Sequence, residues 1–504
     1  MKVLFFYPSR AGKGSIPLNI PILIGEIKQR GHSATLFDLS DYDCFDVERE
    51  EYESNFYKTA NYDYEKIKRE REEFYNHSPG CGDYIISGDE LRKTDYHHDF
   101  EILLEKYKPD IIAVSCLSVD FKFSQEFLFS FKVKYNIPVI YGGIHTILLP
   151  EEVINTDLCD YICIGEGENA FPNLLDALEG KRNIRTVAGI WFKDGNRVIR
   201  NPQEKMSDLN KLSIPNYHYF DPIHFYRPFD GKRYKMINYE LSRGCPFNCS
   251  YCVNSTLKDV YKGLGKFHRT KNIENSIREL KYLINEYGFD FVRFWDDDFT
   301  SISTNYLEKY AEAYRKKINL PFLIAARVDT VTERKVEILS NMGCKHMSMG
   351  IESGNQHIRK TVMKRNTTDE TIIKRYQLVK KYGIRVAAYN IIGLPGETRK
   401  EIFDTIEMNR EVNPDSFSVT MLEPYRGTHI RSLCEEEGLD PNHETVYNRA
   451  QFVPKGIKKS ELLGLFRAFP LYVRLPRNRF DEIRSAETND DVYRRLISEL
   501  GLGS

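Results

Sequence analysis

Cys245-Pro-Phe-Asn-Cys249-Ser-Tyr-Cys252 places three cysteines within eight residues, directly after the segment Glu240-Leu241-Ser242-Arg243-Gly244. Thiolates at this spacing on a loop can ligate three irons of a [4Fe-4S] cube. The fourth iron is left without a protein ligand, which is the open position a catalytic metal centre needs. A structural zinc site is the alternative. It would require a fourth Cys or His at knuckle spacing, and the nearest histidine, His268, lies sixteen residues on. Ten cysteines in a chain of 504 residues call for a metal or redox reading before a disulfide reading. Cys159 and Cys163 resemble a second pair, but buried thiols beside a strand are the simpler account of them.

A cluster of this kind must be carried by regular elements, and the chain supplies two series. From Met1 to about residue 170, short apolar runs alternate with helical patterns: Lys2 to Phe6, Ala34 to Asp38, Ile111 to Ser115, Pro138 to Tyr141 and Tyr161 to Ile164. Pro21 to Arg30 reads as an amphipathic helix closed by Gly31. Strands alternating with helices predict an α/β, Rossmann-like, doubly wound parallel sheet. Ligands on such sheets sit at the carboxyl ends of the strands, where Ser115, Ser118, Gly142, Gly143, Gly165, Glu166, Gly167 and Glu168 fall. A charged, Tyr-rich stretch at about 43–100 interrupts the pattern and reads as a solvated helical insertion, or alternatively as a cap over a ligand.

The second series occupies 231–435, after a linker at 171–230. Its expected strands are Met236–Leu241, Phe291–Trp295, Phe322–Ala326, His346–Gly350, Val386–Ile392 and Ser416–Met421. Six βα units predict a (β/α)6 partial TIM-type barrel with its chemistry at the strands' C-terminal ends. The remainder, 436–504, reads as helical and carries no motif.

Composition narrows the partners. Formal net charge is -1 with 29% charged residues, so no nucleic acid is expected to be held by bulk electrostatics. The opening apolar run is too short for a signal peptide, and no stretch is apolar enough to span a bilayer. The expected compartment is the cytoplasm, where thiols stay reduced.

The cysteine loop, with aromatic Tyr251 before its last Cys, resembles the signature of the radical S-adenosylmethionine (SAM) superfamily. The resemblance covers roughly residues 236 to 430. It implies that Cys245, Cys249 and Cys252 hold a [4Fe-4S] cluster, and that its open iron chelates S-adenosyl-L-methionine. It also implies that one electron, from a flavodoxin- or ferredoxin-type donor, cleaves the sulfonium to a deoxyadenosyl radical. By its order along the family's strands, one of Asp296, Asp297 and Asp298 receives the methionine ammonium, as a carboxylate suits; a helix N-cap is the alternative role. Arg327 is placed to pair with the methionine carboxylate, and Glu352 to bond the ribose hydroxyls. Asn390 to Thr398 resembles the family's glycine-containing fifth-strand end. Leu422-Glu423-Pro424-Tyr425-Arg426-Gly427-Thr428 resembles its sixth-strand ending, with Arg426 in place of a proline.

The first series resembles the cobalamin-binding domain joined to one branch of that superfamily, through Tyr141-Gly142-Gly143-Ile144-His145 and Asp160 to Glu168. An ordinary nucleotide-binding domain is the alternative, but Pro8 to Gly14 has neither dinucleotide nor Walker spacing. An Asp-x-His-x-x-Gly loop is missing; Asp95-Tyr96-His97 and Asn76-His77-Ser78-Pro79-Gly80 are only fragments of one. The cobalt is therefore expected to lack a His ligand, with Cys116, Leu117 and Val119 as an apolar wall below it. The resemblance implies a methyltransferase acting on an unactivated carbon, or phosphorus, of a small-molecule or peptide substrate. The alternative is oxidative cyclisation or rearrangement without methyl transfer.

Overall fold

The computed structural model describes residues 1–9, 16–42, 91–230, 232–440 and 452–500. Most of the charged stretch at 43–100, with its possible cap role and the fragment around His77, lies outside the described residues. The rest forms two compact units, one of residues 1–42, 91–225 and 256–269 and one of 226–255 and 270–500, counted over described positions.

The first unit is built on a seven-stranded sheet of β1 (Lys2–Tyr7), β2 (Ser33–Asp38), β3 (Ile111–Ser115), β4 (Val139–Gly142), β5 (Tyr161–Cys163), β6 (Ile190–Asp194) and β7 (Arg197–Arg200). Its order is β2-β1-β3-β4-β5-β6-β7. The first five strands are parallel, as near-continuous apolar runs buried on both faces require. Helices α1 (Asn19–Gln29), α2 (Tyr96–Tyr107), α3 (Ser118–Tyr135), α4 (Ile144–Leu148), α5 (Pro150–Ile154) and α6 (Gly167–Leu178) connect or cover them. One core is strongly aromatic: Phe6, Phe37, Phe100, Phe127 and Phe131 are all buried, and Phe6 stacks on Phe127 at 4.9 Å between ring centroids. The antiparallel β6–β7 hairpin falls in what reads from sequence as linker. Its two-residue loop, Gly195-Asn196, with Gly195 at φ +58°, between two β-rich runs is a hairpin signal.

In the second unit, strands β8 (Tyr226–Phe229), β9 (Lys232–Tyr239), β10 (Phe291–Phe294), β11 (Phe322–Ala326), β12 (Cys344–Glu352), β13 (Arg385–Ile392) and β14 (Ser416–Met421) lie side by side in chain order. Six are parallel, β9 to β14, and β8 is an antiparallel edge. This is the expected open (β/α)6 barrel. Between the strands run α7 (Ile273–Tyr287), α8 (Thr304–Lys317), α9 (Glu333–Met342), α10 (Gln356–Thr361), α11 (Asp369–Lys381) and α12 (Arg399–Val412). Side chains cap their starts, Asn272 for α7, Ser303 for α8, Thr332 for α9 and Thr368 for α11, and Thr398 with Glu401 forms a capping box on α12. Each cap satisfies backbone N–H groups that the helix leaves orphaned and so fixes where a strand-to-helix loop ends. After α13 (His429–Glu436), helices α14 (Lys459–Arg474), α15 (Phe480–Ala486) and α16 (Asp490–Glu499) cover the last strands. Ile392, Ile402 and Met421 share one apolar core with Leu462, Phe469, Ile483 and Leu496.

Gly354 sits where the chain leaves β12 and passes against the backbone of α12. A Cβ there would lie 2.1 Å from the Asp404 carbonyl oxygen, a contact that nothing flexible can relieve. Gly383, by contrast, needs only its left-handed φ of +72° and has open space around it. Gly354→Ala should therefore cost about 3 kcal/mol by overpacking, and Gly383→Ala about 1 kcal/mol. Denaturant unfolding of the two variants checks the order.

Candidate functional site

Parallel pairing of β9 with β10 aligns Tyr239 with Phe294, and the Trp295 N–H donates to the Tyr239 carbonyl at 2.8 Å. This register brings Asp296, Asp297 and Asp298 beside the backbone that enters the cysteine loop. Asp296 accepts from the Ser242 N–H, from Ser242 Oγ at 2.5 Å and from the Leu241 N–H at 3.4 Å. Burial pushes its carboxyl up to about 7. Asp297 accepts from the Gly244 N–H at 3.0 Å and from Asn254 Nδ2 at 2.6 Å. Asp298 caps the short turn Phe299–Ser301 and accepts from Thr330 Oγ1 and, at 3.1 Å, from the Arg327 N–H. Three consecutive carboxylates thus tie three different backbone segments together.

Cys245, Cys249 and Cys252 are free thiols on the loop so anchored, the first two buried. Burial pushes the Cys245 thiol up to about 12 and that of Cys252 up to about 11. Among the described residues, the groups of three or more ligand-type side chains whose donor atoms all lie within 4.8 Å of one another are His32 with Asp176 and Glu179, and Asp38 with Asp41 and His224. The three sulfurs are therefore spread more widely than one zinc ion would hold them, with Zn–S bonds of about 2.3 Å. That spread suits a larger polynuclear group. Arg327 Nη1 donates to Cys249 Sγ at 2.7 Å, and its guanidinium stacks 3.9 Å from the Phe247 ring centroid. Its other face pairs with Asp329 at 2.5 Å.

Glu352 ends β12 at φ +65°, uncommon for a residue with a side chain. Its carboxylate folds back over Gly350, where a Cβ would lie 2.0 Å from Oε1. Burial raises its carboxyl pKa against the pull of Arg365. Arg365, only 3% exposed, donates to Glu352 at 3.2 Å, to the Tyr251 hydroxyl at 3.0 Å and to the Gly350 carbonyl at 2.9 Å. One guanidinium therefore joins the fourth strand's end to the aromatic residue of the cysteine loop. Sequence reasoning missed Arg365, which sits thirteen positions past Glu352 behind a short helix. It missed Asn254 and Glu397 as well. Glu397 accepts from the Gly393 and Leu394 N–H groups at 2.7 and 3.0 Å, shaping the turn after β13.

In the first unit, Ser115, Ser118, Gly142, Gly143 and His145 gather at the carboxyl ends of β3 and β4. His145 Nδ1 lies 3.0 Å from Ser118 Oγ, Asn19 Nδ2 donates to Ser115 Oγ at 2.7 Å, and the Cys116 N–H donates to the Gly142 carbonyl at 3.3 Å. Gly143, at φ +91°, lies so close that a Cβ would meet the Cys116 carbonyl at 2.9 Å. Leu117 is left 39% exposed beside them, an apolar surface suited to a flat ligand. Gly165 and Glu166 stand on the next strand end, but Glu166 is engaged with Arg269 and with the Ser207 N–H at 2.7 Å. Asp95 caps α2, and the exposed His97 packs its ring 4.7 Å from that of Phe127. Cys116, Cys159 and Cys163 are buried free thiols.

Residues 239–408 match the radical SAM superfamily and residues 85–175 the B12 binding domain. The chain belongs to the cobalamin-dependent radical SAM enzymes. It is 29% identical over 335 residues to an uncharacterized methyltransferase of Pyrococcus horikoshii, covering 66% of this chain and 71% of the relative. It is 26% identical over 328 residues to an anaerobic magnesium-protoporphyrin IX monomethyl ester cyclase of Rubrivivax gelatinosus, covering 63% of this chain and 57% of the relative. Its fold is similar to that of the radical SAM methyltransferase TsrM from Kitasatospora setae, with a TM-score of 0.63 at 15% identity over 87% of this chain and 76% of that one. Membership brings three cofactors: a [4Fe-4S] cluster, S-adenosyl-L-methionine and cobalamin. The donor chemistry fits them, with three free thiols for the cluster and small residues with an exposed leucine at the strand ends for the corrin. Among the described residues no helix is long and apolar enough to cross a membrane.

Arg365→Ala would leave the Glu352 carboxylate buried without its cation, at about 3 kcal/mol or more. Adding Glu352→Gln should recover part of that loss, because an amide carries no charge to desolvate. A double-mutant cycle measured by urea unfolding checks the sign of the coupling.

Proposed function

We propose that this enzyme methylates an unactivated carbon, or phosphorus, of a small-molecule or peptide substrate by hydrogen abstraction and methyl transfer. When bound, the cluster with S-adenosyl-L-methionine supplies the hydrogen-abstracting radical, and the cobalamin supplies the methyl group. The observation that carries the reading is one chain that joins a B12 binding domain to a three-thiol loop on the first strand of a radical SAM barrel. Cys245, Cys249 and Cys252 hold the cluster, and Arg327 neutralises charge at Cys249. Arg327 and one of Asp296, Asp297 and Asp298 orient the methionine end of S-adenosyl-L-methionine, Glu352 its ribose, and Tyr251 and Arg365 keep Glu352 in place. Ser115, Ser118, Gly142, Gly143, His145, Gly165 and Glu166 bind the cobalamin. A flavodoxin- or ferredoxin-type protein delivers the electron, and the cytoplasm keeps the thiols reduced. Methyl transfer is favoured over cyclisation because the methyltransferase relative is covered to 71% of its length and the cyclase to 57%.

Cluster assignment is tested by iron content. Ala at Cys245, Cys249 or Cys252 should remove most of the bound iron, whereas Ala at the buried Cys434 should remove none; full iron in Cys249→Ala would overturn the assignment. Reaction class is tested by the by-products. Methyl transfer consumes S-adenosyl-L-methionine twice per turnover, once as methyl source and once as radical source, so S-adenosylhomocysteine and deoxyadenosine should accumulate in about equal amounts with one methylated product. Deoxyadenosine and product without S-adenosylhomocysteine would instead establish cyclisation or rearrangement.

A further inference from the structure

The segment that closes the sixth barrel strand is pinned at both ends. The Leu422 N–H donates to the Ile392 carbonyl at 2.8 Å, and the Ile430 N–H donates to the Ser250 carbonyl, inside the cysteine loop, at 2.9 Å. Between these pins lies Glu423. Both of its carboxylate oxygens are sealed from solvent, and among the described residues neither accepts a hydrogen bond. Arg431 acts on it through charge but directs its guanidinium to the Pro424 carbonyl at 3.2 Å, the Asp440 carbonyl at 2.9 Å and Glu435 at 2.7 Å. Burial pushes the Glu423 carboxyl up to about 8. Glu397 makes the contrast plain, since its carboxyl is as strongly raised but is spent on two backbone N–H groups. Glu423 has no such structural task. A buried carboxyl with no bonded oxygen is a costly group to keep, and it stands at the C-terminal end of a barrel strand, the face where this fold binds ligands.

We propose that Glu423 is a substrate-recognition residue whose carboxylate receives a protonated nitrogen, so that the substrate is a cationic amine, amidine or guanidine. The inference rests on the reading above that the barrel's C-terminal face holds the substrate. A hydroxyl would offer a single donor and leave one oxygen bare; a protonated nitrogen offers several donors and the opposite charge. On binding, the carboxyl ionises and its proton passes to solvent.

The test uses the reconstituted full-length holoenzyme with n-butylammonium and its neutral analogue n-butanol, titrated calorimetrically at neutral pH in buffers of different ionisation enthalpy. The ammonium ion should bind about ten-fold more tightly than the alcohol or better, and should release about one proton. Glu423→Gln should remove both the preference and the proton release, and Glu423→Asp should restore part of each, which a packing role alone would not produce. Equal binding of the two probes, no binding of either, or unchanged proton release in Glu423→Gln overturns the proposal. No turnover is involved, so failure here leaves the by-product ratio free to support methyl transfer, and failure of that ratio leaves this binding result standing.

Discussion

Everything at the candidate centre depends on the parallel register between β9 and β10. With Phe294 opposite Tyr239, Asp296 and Asp297, just past the end of β10, reach the N–H groups of Leu241, Ser242 and Gly244. A slip of one residue would turn each side chain to the other face of the sheet and leave those donors unpaired beside buried carboxylates. The cysteine loop is therefore held less by its own sequence than by acceptors from the neighbouring strand. Asp298 extends the same device to β11 through the Arg327 N–H, which in turn sets the guanidinium against Cys249.

Much of this was legible in the sequence because strand, turn and thiol each leave a local mark. The six barrel strands coincide with apolar runs, and the cysteine spacing is short enough to be read without any fold. What escaped was long-range pairing among charged side chains. Arg365 looks like one more basic residue in a polar stretch, and only the fold reveals that Tyr251, Glu352 and Gly350 all converge on it. The three Asp residues were legible as either ligands or caps; the fold gives each of them partners within the chain, and Asp298 a cap. The β6–β7 hairpin was missed for a simpler reason, since a single Gly-Asn turn in a long connecting stretch is a weak signal beside the strong helices around it.

In the first unit the balance is different. Its strands were found from their apolar runs and its small residues from their places after them, but the aromatic core shows why they sit there. Phe6, Phe37, Phe100, Phe127 and Phe131 fill one side of the sheet, and α2 and α3, which carry the last three, are fixed by that packing. The strand ends are then free to carry Ser115, Gly142 and Gly143, residues too small to contribute to a core. Gly143 meets the Cys116 backbone at a distance that excludes any side chain, so its place is set by the contact between two loops as much as by a ligand.

Substrate selection resists sequence reading for a physical reason. Positions that face the inside of an open barrel alternate along each strand with positions that face the helices, so their residue types need satisfy no packing period. Arg293 stacks 3.8 Å from the Trp295 ring centroid, two residues on and on the same side of β10. Trp295 and Tyr389 each remain 42% exposed, a high value for aromatic rings on central strands. Neither ring is needed to fill the core, and Tyr389 is oriented by its hydroxyl bond to Ser348 at 3.1 Å. Large side chains that the core does not use, held in fixed orientations on interior strands, are free to change from one relative to another without cost to the fold. The loops that carry Asp296, Asp297, Asp298 and Glu352 have no such freedom, because each is tied to its neighbour through a charged side chain. That asymmetry lets one barrel keep its radical chemistry while the molecule it acts on changes.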